Sequence, residues 1–183
     1  ADLHIYGPKG IKEIIILQLK LAKSWTDYSL YFHELESSKS EVVFEDEKIS
    51  VTTIPLDHRV YTNGYLFKEK IGPRKINITA AKEYGVEVCD MENLKSGKDF
   101  IDSNGNTVSN AIITTDPDAP KSYAFCSDTA YKEDIVPLIS EASMLYHEST
   151  FLDSHKDLAA KTKHSTASEA AQIASKADVG GLI

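Results

Sequence analysis

Cysteine, tryptophan and methionine are scarce in this chain, and so are long apolar runs. The two cysteines, Cys89 and Cys126, lie far apart and in no metal-ligand spacing. That argues against a cysteine-built zinc site; one disulfide is possible, but free thiols are the expected state. No stretch approaches the ~20 apolar residues that a bilayer-spanning helix needs. The longest candidate, IKEIIILQLKLA, carries three charges and an amphipathic pattern, so no membrane association is expected. No signal peptide is visible, which makes the cytoplasm the expected location. The start at Ala1 without methionine points to a processed or partial chain. Basic residues are outnumbered 20 to 28 by acidic ones, for a net charge of −8. A broad nucleic-acid-binding surface is thereby excluded, although a local basic patch is not. Repeats and low-complexity segments are absent.

What is present reads as one domain, or part of one. Leu3 to Tyr6 is short and apolar and ends at Gly7-Pro8, the pattern of a buried strand. Ile11, Ile14, Ile15, Leu17, Leu21 and Ala22 recur at helical spacing and predict an amphipathic helix up to about Lys23; this helix and Trp25 are expected to pack inside. Ser29 to Leu35 reads as a strand. Glu41 to Phe44 and Lys48 to Ile54 form an expected hairpin. Tyr61 to Lys70 is a strand with Asn63-Gly64 as a bulge or kink inside it. Residues 72–119 depart from this rhythm. They hold one short helix candidate from Thr79 and a turn at Asn104-Gly105, and read as an irregular, arm-like insertion in the domain.

The chemistry concentrates between Ser122 and Thr166. A strand from Ser122 to Ser127 delivers Asp128 at its end. A second apolar run from Met144 delivers His147 and Glu148. His164 stands just before a helix start marked by the capping box Thr166-Ala167-Ser168-Glu169. Helices are expected over Lys132 to Ser140, with Pro137 as a misfit, and over Ser154 to Lys161 and Thr166 to Ala177. Val179 to Ile183 reads as a further strand. Strand and helix alternate, so the fold class is α/β. Open α/β sheets present their chemistry outside the carboxyl ends of the strands, and these polar groups sit there. Each also has an ordinary reading. His58 could be an exposed turn histidine, Asp128 an N-cap, His147 and Glu148 a surface pair, and His164 a flank of the capping box.

The segments IPLDHRVYTNGYLF, CSDTAY, YHESTF and KHSTASEAAQIASKA, with LHIYGPKGI at the start, resemble ribonuclease Z, the tRNA 3′-processing endonuclease family of the metallo-β-lactamase superfamily. The motifs stand in the family's order. His147-Glu148-Ser149-Thr150 matches the family's His-Glu-Ala-Thr with Ser149 for Ala. His164-Ser165-Thr166 is unchanged. Cys126-Ser127-Asp128-Thr129 matches Ser-Gly-Asp-Thr with Ser127 for Gly, which is expected to tighten the turn. The resemblance implies a partial metallo-β-lactamase fold, an αββα sandwich, lacking its N-terminal portion and its C-terminal end. It implies a zinc-dependent endoribonuclease with two zinc ions that removes the 3′ trailer of precursor tRNA, acting as a homodimer. His58 would be a zinc ligand, and Asp128 would bridge two zinc ions. His164 would be catalytic near the scissile phosphate, with Glu148 orienting its ring.

Two departures matter. The family's His-x-His-x-Asp-His motif occurs nowhere in the chain, and neither does its last ligand histidine. Two metal ligands cannot hold two zinc ions, so the 183 residues alone are expected to be inactive. Lys68, Lys70, Arg74 and Lys75 form a basic cluster where the family's tRNA-clamping arm projects. They are candidate phosphate contacts, or else a solvated strand end. The arm's Gly-Pro-rich tip is reduced here to Gly72-Pro73. Two other function classes remain: a metallo-β-lactamase-fold hydrolase acting on a different phosphodiester or ester, and an inactive segment serving dimerisation.

Overall fold

The computed structural model describes residues 2–183. The chain divides into two compact units. One comprises the residues up to Lys68 together with Lys121–Ile183, the other Glu69–Pro120.

The first unit opens with β1 (Leu3–Pro8), α1 (Ile11–Leu21) and β2 (Leu30–Leu35). β1 and β2 pair in parallel from Leu3↔Leu30 to Pro8↔Leu35, so α1 is the crossover that a parallel pair requires. Leu19, Leu30 and Phe32 line the cleft beneath the helix. The expectation of a buried β1 is corrected: Leu3 is 46% exposed and only Gly7 is buried. This sheet has two strands, and a strand is interior only where both faces are covered. No residue of α1 is fully buried, and Trp25, expected to pack, is 85% exposed. Lys23 adopts a left-handed conformation just past the helix, and the chain leads Trp25 out to solvent.

β3 (Val42–Glu45) and β4 (Ile49–Pro55) form the expected hairpin. Its turn is held by Asp46, whose carboxylate accepts from the amides of Lys48 and Ile49. A register shift lies between Val42 and Phe44. β5 (Asn63–Glu69) follows.

The second unit contains β6 (Lys75–Ile76), α2 (Ile78–Glu83), α3 (Met91–Lys95), β7 (Phe100–Ile101), β8 (Thr107–Val108), α4 (Asn110–Ile113) and β9 (Thr114–Thr115). β6 pairs with β9 and β7 with β8, both antiparallel. Ala81, Leu94, Phe100, Val108 and Ile113 form its own core. The buried Asn110 closes that core by donating to the carbonyls of Leu94 and Lys98. Sequence reading finds only α2 here. α3 and α4 are too short to display a helical period, and the two-residue strands too short to display alternation.

The chain then returns to the first unit through β10 (Ser122–Cys126) and β11 (Met144–His147), followed by α5 (Lys156–Thr162) and α6 (Ala167–Lys176). They complete a five-stranded sheet in the order β11-β10-β5-β4-β3. β10 runs parallel to β11 and antiparallel to β5. Ala124, Cys126 and Leu145 point to one face, where Ile135, Ile139, Ile173 and Ala174 cover them. On the other face Tyr65 turns its hydroxyl to the backbone oxygen of Tyr6, and the two sheets bound a cleft of about 300 Å³. Helix, sheet, sheet and helix thus follow as layers.

Three local expectations change. Residues 133–138 form a 3-10 segment rather than an α-helix, because Pro137 has no amide to donate. Residues 179–183 are not a full strand: Leu182 makes a single parallel bridge to Leu145. Asn63-Gly64 opens β5 rather than lying inside it. A Cβ on Gly64 would stand 2.3 Å from the backbone oxygen of Phe125, so glycine permits the close approach of β5 and β10. Gly64→Ala is therefore expected to destabilise the chain by roughly 1–3 kcal/mol through overpacking. A denaturant midpoint indistinguishable from the parent's would contradict this.

Candidate active site

Four loops meet at the carboxyl ends of β4, β10 and β11 and at the start of α6. The parallel register sets Cys126 beside His147, and the Glu148 amide donates to the Cys126 carbonyl at 2.9 Å. Asp128 and Glu148, both just past their strands, are thereby brought level. Asp128 has φ +49°, a left-handed conformation that aspartate tolerates better than most residues. It is not an N-cap, since the next helical segment starts only at Glu133. Ser127 is not among the positive-φ residues, so replacing the family's glycine there strains nothing.

His164 is fixed from both sides. α5 ends in paired bonds from the His164 amide to the Ala159 carbonyl and from Lys163 to Ala160, with Lys163 left-handed at φ +63°. Two residues later Thr166 begins α6 with the predicted capping box. Its hydroxyl accepts from the Glu169 amide, and Glu169 accepts from the Thr166 amide. Between these two caps the His164 ring has little freedom.

Glu148 joins the pieces. One carboxylate oxygen accepts from the Thr129 amide at 2.8 Å and from Nδ1–H of His164 at 2.7 Å. The other accepts from the amide and hydroxyl of Thr150 at 3.2 and 2.6 Å. Burial pushes the carboxyl pKa up, yet the hydrogen bonds from Thr150, His164, Thr129 and the Ser165 backbone together hold it below its ordinary value. Glu148 is thus ionised at neutral pH. It also fixes the tautomer of His164, leaving Nε2 as the free ring nitrogen.

His58 comes from the loop after β4. Its Nδ1–H donates to the Lys163 carbonyl at 3.0 Å, and its ring lies 5.1 Å from that of His164, edge to face. Asp57 anchors the same loop through an ion pair with Lys163 at 2.8 Å. Thr129, fully buried, ties the loops together. Its hydroxyl accepts from the Asp57 amide, its carbonyl accepts from Ser165 Oγ, and its amide meets Glu148. Thr129, Thr150 and Ser165 sit inside the motifs read from the sequence but carry no role there. Lys163 has no sequence signal apart from its place after a helical run.

Donor atoms of Asp128, Glu148 and His164 lie within 4.8 Å of one another, close enough to hold a metal ion. Imidazole and carboxylate are suitable zinc ligands. Within this group Glu148 already accepts four hydrogen bonds, which suits it to hold a ring rather than a metal. Asp128 is exposed, and Nε2 of His58 is left over once Nδ1 is bound. His147 turns elsewhere. It is 3% exposed, and its Nδ1–H donates to the Glu148 carbonyl. Burial lowers its pKa despite that bond and the nearby carboxylates of Glu148 and Glu169. Its ring is therefore neutral, and Nε2 has no hydrogen-bond partner among the described residues.

No family model matches the chain. Among curated proteins it is 38% identical to ribonuclease Z of Bacteroides fragilis over 183 residues, all of this chain and 60% of that protein. It is 42% identical to ribonuclease Z of Cytophaga hutchinsonii over 182 residues, 99% of this chain and 58% of that protein. The chain is homologous to ribonuclease Z. It spans about 60% of the length of these relatives. Among solved structures, human tRNase Z, short form, superposes with a TM-score of 0.65 at 20% identity, covering 99% of this chain and 59% of that one. A metallo-β-lactamase fold protein of Bacillus subtilis gives 0.53 at 14% identity, with 99% and 50% covered. The layered α/β architecture is thus a partial metallo-β-lactamase fold, as the ribonuclease Z resemblance implies.

The basic cluster looks different in three dimensions than in sequence. Within the second unit the Arg74 guanidinium binds the Thr114 hydroxyl at 2.7 Å and pairs with Asp116, while Lys75 pairs with Asp118. Lys68, next to last in β5, is an exposed residue of the first unit. Lys70 has an electrostatic or hydrogen-bonding partner of its own. Both cysteines are free. Cys89 is exposed, whereas burial pushes the Cys126 thiol up to about 12 and keeps it protonated.

Proposed function

We propose that this chain forms part of a zinc-dependent endoribonuclease that removes the 3′ trailer of precursor tRNA by phosphodiester hydrolysis. The observation that carries this reading is the His164–Glu148 hydrogen bond at 2.7 Å beside the free carboxylate of Asp128, all three in motifs shared with ribonuclease Z. Zinc, when bound, would activate a water and stabilise charge on the phosphodiester. Asp128 and His58 are the residues of this chain that would hold it, with the remaining ligands supplied from outside these 183 residues. His164 keeps one ring nitrogen free toward the substrate and could pass a proton to the leaving oxygen, while Glu148 stabilises the ring in either charge state.

On this reading the protein works on precursor tRNA in the cytoplasm, as a homodimer, and the 183 residues alone are inactive. Residues 72–119 would be the substrate arm of one metallo-β-lactamase-like domain. The direct test is cleavage of a precursor tRNA by a full-length protein carrying this chain, with and without a zinc chelator. Chelation should abolish product, and added zinc should restore it. Cleavage of a chromogenic phosphodiester with none of the precursor tRNA would favour a different hydrolase of the same fold.

The arm makes its own prediction. Replacing Lys68, Lys70 and Lys75 with alanine should weaken precursor tRNA binding and flatten its salt dependence, because fewer phosphate contacts release fewer counterions. Turnover of a small phosphodiester should be spared. Arg74→Ala differs, since it strips partners from Thr114 and Asp116 and should also lower the melting temperature. An equal loss on both substrates in the lysine variant would remove the arm reading.

A further inference from the structure

Lys163 stands where a lysine is strained. It closes α5 with φ +63° and ψ +46°, the left-handed conformation that glycine adopts freely and most other residues avoid. The bond to His58 does not explain the choice, because the accepting carbonyl belongs to the backbone and glycine would offer it equally. What glycine lacks is the ammonium, which pairs with Asp57 Oδ2 at 2.8 Å.

Lys163 therefore reaches one loop twice. Its carbonyl accepts the Nδ1–H of His58 at 3.0 Å, and its Nζ holds the residue just before that histidine. The backbone of Asp57 is fixed from another side: its amide donates to the Thr129 hydroxyl at 3.1 Å, and its carbonyl accepts from the Ala130 amide at 2.8 Å. After His58 the chain runs through Arg59 and Val60, both exposed. The His58 ring, half-buried beside that of His164, is thus tethered from its N-terminal side. The tether limits how far Nδ1 drifts from the carbonyl, and that bond decides which ring nitrogen carries the proton.

We infer that Lys163 is a positioning residue for His58: its ammonium, acting through Asp57, keeps the His58 ring on the Lys163 carbonyl, so that Nδ1 carries the proton and Nε2 is left bare for a metal ion. Only the last step rests on the reading of His58 as a zinc ligand, since the tautomer is observable with no metal present. A half-exposed ion pair of this kind shifts an equilibrium by up to about fivefold. Its effect belongs in the order of the ring more than in the stability of the fold.

The ring nitrogen NMR shifts of His58 in the zinc-free, full-length protein carrying this chain, measured beside its melting temperature, test this. In the parent, and in Lys163→Arg, which keeps the charge, Nδ1 should carry the proton. Lys163→Gly keeps the carbonyl, relieves the left-handed backbone and removes the ammonium. It should melt no lower than the parent, yet its His58 shifts should move toward a mixture of the two tautomers. Asp57→Ala leaves α5 and its end intact and should give the same mixture, and combining the two substitutions should add nothing. With zinc restored, each variant should bind it about fivefold more weakly. An unmixed Nδ1–H tautomer in Lys163→Gly and Asp57→Ala overturns the positioning role, and so does mixing that appears only where the melting temperature falls. Mixed tautomers with parent-like zinc affinity uphold the positioning role and overturn His58 as a ligand.

Discussion

In a full-length protein carrying this chain, Asp128→Ala is expected to abolish detectable cleavage of precursor tRNA and to lower bound zinc. Asp128 is exposed, follows the end of the parallel β10–β11 pair, and has a left-handed backbone. If that carboxylate bridges two cations, its loss leaves them to repel each other with one fewer anionic ligand. Asp128→Asn keeps the size of the side chain and removes the charge, so it should fall close to the alanine variant in zinc content. His58→Ala should act in the same direction, because Nε2 is the ring nitrogen its Lys163 bond leaves free. Metal analysis of the purified variants beside single-turnover cleavage provides the readout. Full zinc and full activity in Asp128→Ala would end the assignment.

His164→Ala should behave differently. The geometry ties this ring to Glu148 and wedges it between the end of α5 and the cap of α6. Zinc content and precursor tRNA affinity are expected to stay near those of the parent. Cleavage should fall by roughly 10²–10⁴-fold, the range for one general acid–base group. Glu148→Gln should also slow cleavage, and it should unsettle the fold. Both oxygens of Glu148 accept only from donors, so an amide group must face either the Thr129 amide or the Thr150 amide. Facing Thr129, it leaves a buried donor without its partner, which costs about 1–3 kcal/mol; facing the exposed Thr150 it costs less. A lower melting temperature in Glu148→Gln but not in His164→Ala would separate the structural part of the glutamate's work from the orienting part. Loss of zinc in His164→Ala would make the histidine a ligand. Cleavage at the parent rate would leave it a residue beside a helix cap.

The sequence by itself determined the local features that need only neighbours in the chain. The α1 periodicity, the hairpin of β3 and β4, the turn at Asn104-Gly105 and the capping box at Thr166 all depend on residues within a few positions of one another. Motif order also carried the ribonuclease Z resemblance and so the candidates Asp128, Glu148 and His164. Tertiary structure decided whatever depends on what lies across the fold. An apolar strand and a tryptophan look interior from their hydrophobicity alone, but burial needs a covering layer, and β1 and Trp25 lack one. Gly64 looks like a kink until the Phe125 carbonyl arrives from β10. Arg74 and Lys75 look like unpaired cations until Asp116 and Asp118, some forty residues on, fold back beside them. The threonine and serine that knit the site together were invisible for the same reason. A hydroxyl has no pattern in sequence, and only the meeting of four loops gives Thr129 its bonds to Asp57, Glu148 and Ser165.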